Sequence, residues 1–442
     1  MTKRAIDAIR GALAERRLVW FGIRGEDGEA LLQIPELEAS YSIIAPLRSG
    51  RLREESNVAL EQISRRRPDL DRYDIDLDPH PSAREFSARL MREVSGRCVM
   101  MTYRPSRLIS ELAFSMSDTM TLAGLFKDRQ QAFEYKPWVE TALAARGILG
   151  LDWRYVADQH LGRAQRMVAG GRPHILRASR TSGGVGIALA ETEADVERLW
   201  RQDPDSFVAV APFLDPTVPI NFSGVVFDDG SVRLHPASVQ LIGIPSCTQR
   251  RFGYCGNDFS AIKTLGDDVL AQVDAMGRAI GEWLHEERYR GVFGVDALVD
   301  GGAVRFVEIN ARFQGSSAPS AEIAHALDVP DLFLDHLNAA LGGQPTDSGQ
   351  TIAEWTASQP DLAHVVLHNT TGADLVRDPD VPLSPRSRGV RLAQLPEAGV
   401  PLADGAAICR VTLDRSVTES GFALDEPAER LVADLRRAFV SA

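Results

Sequence analysis

The stretch VRFVEINARFQGSS, residues 304–317, sets a carboxylate, an amide and a guanidinium two residues apart, at Glu308, Asn310 and Arg312. Side chains alternate across a β-strand, so these three share one face with Val304 and Phe306, while Val307 and Ile309 take the other. Burying such groups without partners is costly. They therefore cap a solvent-exposed strand end or face a ligand that satisfies them. Just upstream, GVFGVDALVDGGA reads as the first arm of a hairpin. A three-residue turn at Gly301-Gly302-Ala303 with a bulge sets Asp296 opposite Glu308, with ~5 Å between their Cβ atoms. Two carboxylates that close repel unless a cation sits between them. With Asn310 adding a neutral oxygen, the set suits Mg²⁺, which takes its remaining ligands from water and phosphate. An even-length turn would send Asp296 to the opposite face and break the pair.

A second constellation is SRTSGGVG, residues 179–186. Gly183, Gly184 and Gly186 with Ser179, Thr181 and Ser182 offer many N–H and hydroxyl donors, which suits phosphate oxygens as well as it suits a glycine-rich hairpin. The loop joins two strands and opens no helix, so it is not a Walker-type loop. Lys136, in FEYKPWVETAL, and Arg177, in HILRAS, can reach the same phosphates or stand as surface charges. The nine histidines show no metal-ligand spacing, and neither a G-x-S-x-G elbow nor a catalytic-cysteine signature occurs. The acidic segment DLDRYDIDLDPHPS (69–82) reads as a solvated loop rather than a metal site.

The elements that must hold these residues alternate at first between strand and helix. LVWFGIRG, YSIIAPL (41–47) and CVMMTY (98–103) are apolar runs with helical stretches between them, the pattern of a parallel, doubly wound sheet. Residues 128–146 read as one helix ending before Gly147. Strand–turn–strand units follow around Asp228-Asp229-Gly230 and Asp300-Gly301-Gly302, separated by a helix at about 265–287. A further helix, about 319–342, ends at GGQPTDSG, a plausible boundary before a small α+β tail. The expected organisation is multidomain, α/β and α+β, with units at 1–120, 121–345 and 346–442.

Bulk properties narrow the function. With 442 residues, 44% hydrophobic and 25% charged, the chain has the composition of an ordinary globular protein. A net charge of −12 argues against general affinity for nucleic acid or anionic membranes. No run approaches 18 apolar residues, and the N-terminus has no signal-like apolar core. The four scattered cysteines read as free thiols, so a cytoplasmic location is expected.

Taken in order, Lys136, HILRAS, TSGGVG, VAVAPFL and GVFGVDALV…VRFVEINARFQGSS resemble an ATP-grasp protein, most of all the carboxylate–amine ligases of that superfamily. The twelve-residue step from Asp296 to Glu308 and the Glu-x-Asn-x-Arg sequence are the most specific part. The resemblance spans about 120–340, with the preceding α/β segment similar to a pre-ATP-grasp domain, and PASVQLIG…YCGNDF is similar to peptide ligases of natural-product pathways. It implies ATP as cofactor with one or two Mg²⁺ ions, Mn²⁺ being an alternative. Asp296, Glu308 and Asn310 would be the metal ligands, and Lys136, Arg177, Ser182, Gly183 and Gly184 would lie at the phosphates. Arg312 would serve at the acyl phosphate, and Gly315 with Ser316 would add an anion site before a helix. Three positions depart from the family pattern: Arg177 replaces a lysine, Ala211 a hinge glutamate, and Asn221 stands where an acidic ribose contact is expected. The implied reaction joins a small-molecule acid and amine, amino acids or peptides, through an acyl phosphate. A kinase on the same fold and a non-catalytic ATP-binding regulator are the alternatives. Dimers are common in the superfamily, and the sequence leaves the assembly open.

Overall fold

The computed structural model describes residues 1–180, 183–200, 207–381, 383 and 388–442. The first apolar runs form a five-stranded parallel sheet. Its strands are β1 (Arg17–Arg24), β2 (Leu37–Ile44), β3 (Asn57–Ala59), β4 (Cys98–Thr102) and β5 (Met120–Ala123), in the order β3-β2-β1-β4-β5. β4 is buried along its whole length and β1 over its middle five residues, as parallel strands covered on both faces must be. Their carboxyl ends point toward the rest of the chain, the edge at which open α/β sheets meet ligands.

A four-stranded antiparallel sheet follows, with β6 (Arg154–Ala157), β7 (His174–Ala178), β8 (Ile187–Ala190) and β9 (Phe207–Pro212) in the order β6-β9-β7-β8. The glycine-rich segment is the turn between β7 and β8. Next come β10 (Val218–Val226), β11 (Val232–Leu234), β12 (Ser238–Ile242), β13 (Tyr254–Asp258), β14 (Gly291–Asp300), β15 (Ala303–Asn310) and β16 (Ala363–His368). The chain closes with β17 (Leu375–Arg377), β18 (Val390–Ala393), β19 (Ala407–Leu413) and β20 (Phe439–Ser441). β17 and β20 pair with each other. The rest form a nine-stranded sheet ordered β15-β14-β10-β12-β13-β16-β19-β18, with β11 on β10. The tail strands β16, β18 and β19 thus extend the same sheet that carries β14 and β15, through the β13–β16 pairing.

Two expected helices are broken, each beside a proline. The segment at 128–146 divides into Lys127–Phe133 and Lys136–Ala144, with Pro137 in the first turn of the second. Proline carries no N–H and disfavours helical backbone in the residue before it, so a continuous helix is excluded there. The segment at 319–342 divides likewise into Ser317–Ala326 and Leu332–Ala340, around Pro330. An aromatic stack joins the parallel sheet to the large one: Phe313 lies 4.4 Å from Phe333, ring to ring, and 6.1 Å from Trp20. Such pairs add about 0.5–1.5 kcal/mol each beyond the area they bury.

Candidate active site

The β14–β15 hairpin brings the carboxylates together by a route the sequence reading did not foresee. Asp300 pairs with Ala303, so Gly301-Gly302 is a two-residue turn, with both residues at positive φ (55° and 87°). The register then shifts: Ala297 faces Phe306 and Asp296 faces Glu308, which leaves Val307 as the extra residue of a bulge. The even turn alone would part the two acids, and the bulge restores them to one face. It also corrects the expected faces. Val304, Phe306 and Ile309 pack in the core, whereas Val307, Glu308 and Asn310 line a cleft of about 590 Å³.

A network of amides holds Asp296. Its Oδ1 accepts from Asn221 Nδ2 at 2.7 Å and Gln240 Nε2 at 2.8 Å, and its Oδ2 from Asn310 Nδ2 at 3.2 Å. Burial first, and then the charge of Glu308, push the Asp296 carboxyl well above the usual carboxylate range. Burial works on Glu308 in the same direction, but Lys136 and Arg177 outweigh it and hold Glu308 low. The raised Asp296 and lowered Glu308 are the response of two close carboxylates whose repulsion either a proton or a cation can relieve. Among the described residues no three His, Cys, Asp or Glu side chains form a metal cluster. A cation here would have two carboxylates and must draw its other oxygens from Asn310, water and a bound phosphate, the donor set that Mg²⁺ accepts. Asn310 Oδ1 accepts from Arg312 Nη2 at 2.8 Å, which leaves the oxygen a second lone pair for a metal.

The basic residues converge on this pair. The break between the two helices puts Lys136 at the start of the second, and its Nζ lies 3.0 Å from Glu308 Oε2. Glu134, at the same break, accepts from Arg312 Nε at 3.1 Å. Phe313, wholly buried in the aromatic stack, anchors Arg312 by the adjoining backbone. Arg177 is buried, with its Cζ 3.9 Å over the Trp153 ring, Nη1 donating to Val307 O at 3.1 Å and Nη2 bound to Glu140. A planar fork fills three partners at once, which a lysine cannot do, and this accounts physically for arginine at the position.

Asn221, expected at a ribose, lines the cleft and is bound into the carboxylate network: besides Asp296 it donates to Gln314 Oε1 at 2.8 Å and accepts from Ser316 Oγ at 2.6 Å. Ser316 immediately precedes the helix Ser317–Ala326. Ser182 lies outside the described residues. Gly183 and Gly184, at φ 60° and 75°, pass so close to the opposite wall that an added Cβ would lie 2.6 Å from the Asp71 carboxyl carbon and 2.1 Å from Phe252 O respectively. The turn therefore crosses the cleft, which Ala211, Pro212 and Phe213 of β9 and its extension also line. The acidic segment is not the solvated loop expected of it. Asp69 and Asp71 pair with Arg250, Lys127 Nζ meets Asp74 and Asp76 at 3.0 and 2.6 Å, and Asp76 accepts the backbone N–H groups of Arg107 and Leu108. Glu134, Glu140, Trp153, Gln240 and Gln314 carried no sequence signal, because each joins the site only through contacts distant along the chain.

No protein-family model matches the sequence, and no curated protein matches it. Solved structures do. The biotin carboxylase domain of the Hydrogenobacter thermophilus 2-oxoglutarate carboxylase, in complex with MgADP, ADP and bicarbonate, is 13% identical with a TM-score of 0.63, over 90% of this chain and 86% of that one. N5-carboxyaminoimidazole ribonucleotide synthetase from Thermus thermophilus is 14% identical with a TM-score of 0.59, over 95% and 98% of the two chains. Phosphoribosylamine–glycine ligase from Thermotoga maritima is 14% identical with a TM-score of 0.59, over 96% and 97%. The chain shares the fold of these structures, a mixed α/β architecture with several sheets matched over nearly its full length. Among the described residues no helix is long and apolar enough to cross a membrane.

Proposed function

We propose that this protein is an ATP-dependent, ADP-forming carboxylate–amine ligase. The observation that carries the reading is the bulged hairpin. It sets Asp296 against Glu308 on the wall of a cleft crossed by the glycine turn, with Lys136 on one carboxylate and Arg312 beside the other polar groups. The similar domain solved with MgADP and bicarbonate supports a nucleotide and magnesium as the ligands. In this reading residues 1–120 and 121–345 enclose the cleft as pre-ATP-grasp and ATP-grasp domains, and 346–442 form the C-terminal unit. Asp296, Glu308 and Asn310 would hold Mg²⁺, or Mn²⁺ in its place. The ion, when bound, draws negative charge from the phosphate oxygens.

A substrate carboxylate oxygen attacks the γ-phosphorus of ATP and ADP leaves, giving an acyl phosphate. Lys136 and Arg177 lower the cost of charge in the cleft, and the turn bearing Ser182, Gly183 and Gly184 keeps water from the mixed anhydride. Arg312 is placed to bind the acyl phosphate and the tetrahedral adduct formed when an amine attacks the carbonyl carbon; phosphate then leaves and the amide remains. No side-chain nucleophile is needed, in keeping with the burial of all four free cysteines. The substrates are amino acids or small peptides, in a natural-product pathway of the cytoplasm.

The test is release of ADP and phosphate from ATP and Mg²⁺ over a panel of amino acids and amines, with amide products followed by mass. Amide formation dependent on both partners is expected. A phosphorylated product that persists in the presence of amines would mark a kinase instead, and silence across the panel would remove catalysis from the account.

A further inference from the structure

A second cleft of about 320 Å³ adjoins the first and shares Ile23, Asp71, Arg104 and Arg312 with it. It lies at the carboxyl ends of the parallel strands, between them and the two short helices around Glu134. Several enclosed arginines elsewhere in the molecule, the buried Arg67, Arg233 and Arg410 and the half-buried Arg24, have a carboxylate each. Arg67 has Glu61 at 2.8 Å, Arg233 has Asp335 at 2.8 Å, Arg410 has Glu26 at 3.1 Å, and Arg24 has Asp27 at 3.3 Å. Arg104, half-buried just past β4, has none within 4.0 Å among the described residues; its one hydrogen bond is a long one, 3.4 Å, from Nη2 to Tyr73 O.

The anions of this cleft are committed elsewhere: Asp71 to Arg250, Asp74 to Lys127 and Glu134 to Arg312. Arg180, on the rim next to the glycine turn, is also without a carboxylate among the described residues and rests over the Tyr135 ring at 4.8 Å. Two guanidiniums thus face one small cleft with no carboxylate within 4.0 Å of either among the described residues; Glu134 and Asp74 act on Arg104 only from farther off. Burial, and then the positive charge of Arg312, hold the Arg104 guanidinium below its usual range, against the weaker pull of Glu134 and Asp74.

We propose that the smaller cleft takes a substrate bearing an anionic group, carboxylate or phosphate, additional to the carboxyl that is activated, and that Arg104 grips this group while Arg180 closes over it. The proposal rests on the ligase reading for the word substrate, and on the cleft alone for the anion. Arg104 thereby becomes a specificity residue, since a planar guanidinium offers paired donors to either anion.

The experiment measures binding to the full chain by calorimetry, with Mg²⁺ and a non-hydrolysable ATP analogue present, for two matched pairs of probes: glutamate against glutamine, and O-phosphoserine against serine. At least one acidic probe is expected to bind at least tenfold more tightly than its neutral counterpart. The tighter of the two identifies the group as carboxylate or phosphate. Arg104→Met should abolish the gap, and Arg180→Met, on the exposed rim, should narrow it. Equal affinities within both pairs, or a gap that survives Arg104→Met in protein with unchanged circular dichroism, would overturn the proposal. If Arg104→Met fails to fold, the wild-type gap and Arg180→Met decide. Phosphate release is followed with the same probes and with the full panel of amino acids and amines: a binding gap with silence across that panel leaves the anion site standing and removes the ligase reading.

Discussion

Replacing Asp296 by Asn separates the chemistry of the cleft from the stability of the fold. Burial and the charge of Glu308 raise the Asp296 pKa and so favour its neutral form in the absence of a cation; the amide is close to that form in shape and removes a buried carboxylate from beside Glu308. Asp296→Asn is therefore expected to melt no lower than the wild type while losing about 100-fold or more of its Mg²⁺-dependent ATP turnover, since a direct ligand should cost at least what outer-shell partners cost. A thermal melt and a phosphate-release assay on the same preparation check both halves. Glu308→Gln differs, because it removes a carboxylate that meets the buried Lys136 ammonium at 3.0 Å. It should abolish turnover and also lower stability, by roughly 1–3 kcal/mol, the scale of a buried charged group losing one hydrogen-bonded partner. The sequence already showed Asp296, Glu308, Asn310 and Arg312, because spacing alone groups them. It could not show Glu134, Gln240 or Arg104, whose places depend on a helix break and on strands far along the chain.

The bulge at Val307 and the glycine turn are the elements that make the site. The bulge was half legible: opposition of Asp296 and Glu308 followed from the reading of the hairpin, but the odd offset was assigned to the turn and belongs to the strand. A Gly-Gly pair accommodates two positive φ angles as readily as a longer turn, so composition does not choose between the two solutions. The glycine turn gives its own prediction. At φ 75°, Gly184→Ala costs about 1–2 kcal/mol in left-handed backbone, and its Cβ would meet Phe252 O at 2.1 Å. The turn should then fail to seat. ADP release is expected to continue while amide yield per ADP falls severalfold, as an unshielded acyl phosphate is lost to water. Equal coupling in the variant and the wild type would show that the turn has no such part.

Across the whole molecule, the alternation of strand and helix before residue 120 was readable because parallel strands are apolar along their length. The continuation of the large sheet into the tail was not, since the β13–β16 pairing joins segments about a hundred residues apart. His336 ties the two main sheets together: its Nδ1 accepts from Val292 N at 2.9 Å and its Nε2 meets Ala123 O at 3.2 Å. Burial lowers its pKa from 6.5 to about 4. The unfolded chain therefore takes up the proton first as pH falls, and the stability present above pH 6.5 is lost progressively down to about 4, by about 3 kcal/mol in all. The advantage of the wild type over His336→Asn in denaturant unfolding should shrink by that order between pH 7 and 4; a constant difference would refute the assignment. The central claim, that Asp296 and Glu308 form a cation site completed by nucleotide, is tested most directly by titrating Mn²⁺ and following the enhancement of water proton relaxation, with and without a non-hydrolysable ATP analogue. Tight Mn²⁺ binding that needs the nucleotide, and that vanishes in both Asp296→Asn and Glu308→Gln, is the expected result. Mn²⁺ binding that is indifferent to the nucleotide, or retained in either variant, would contradict it.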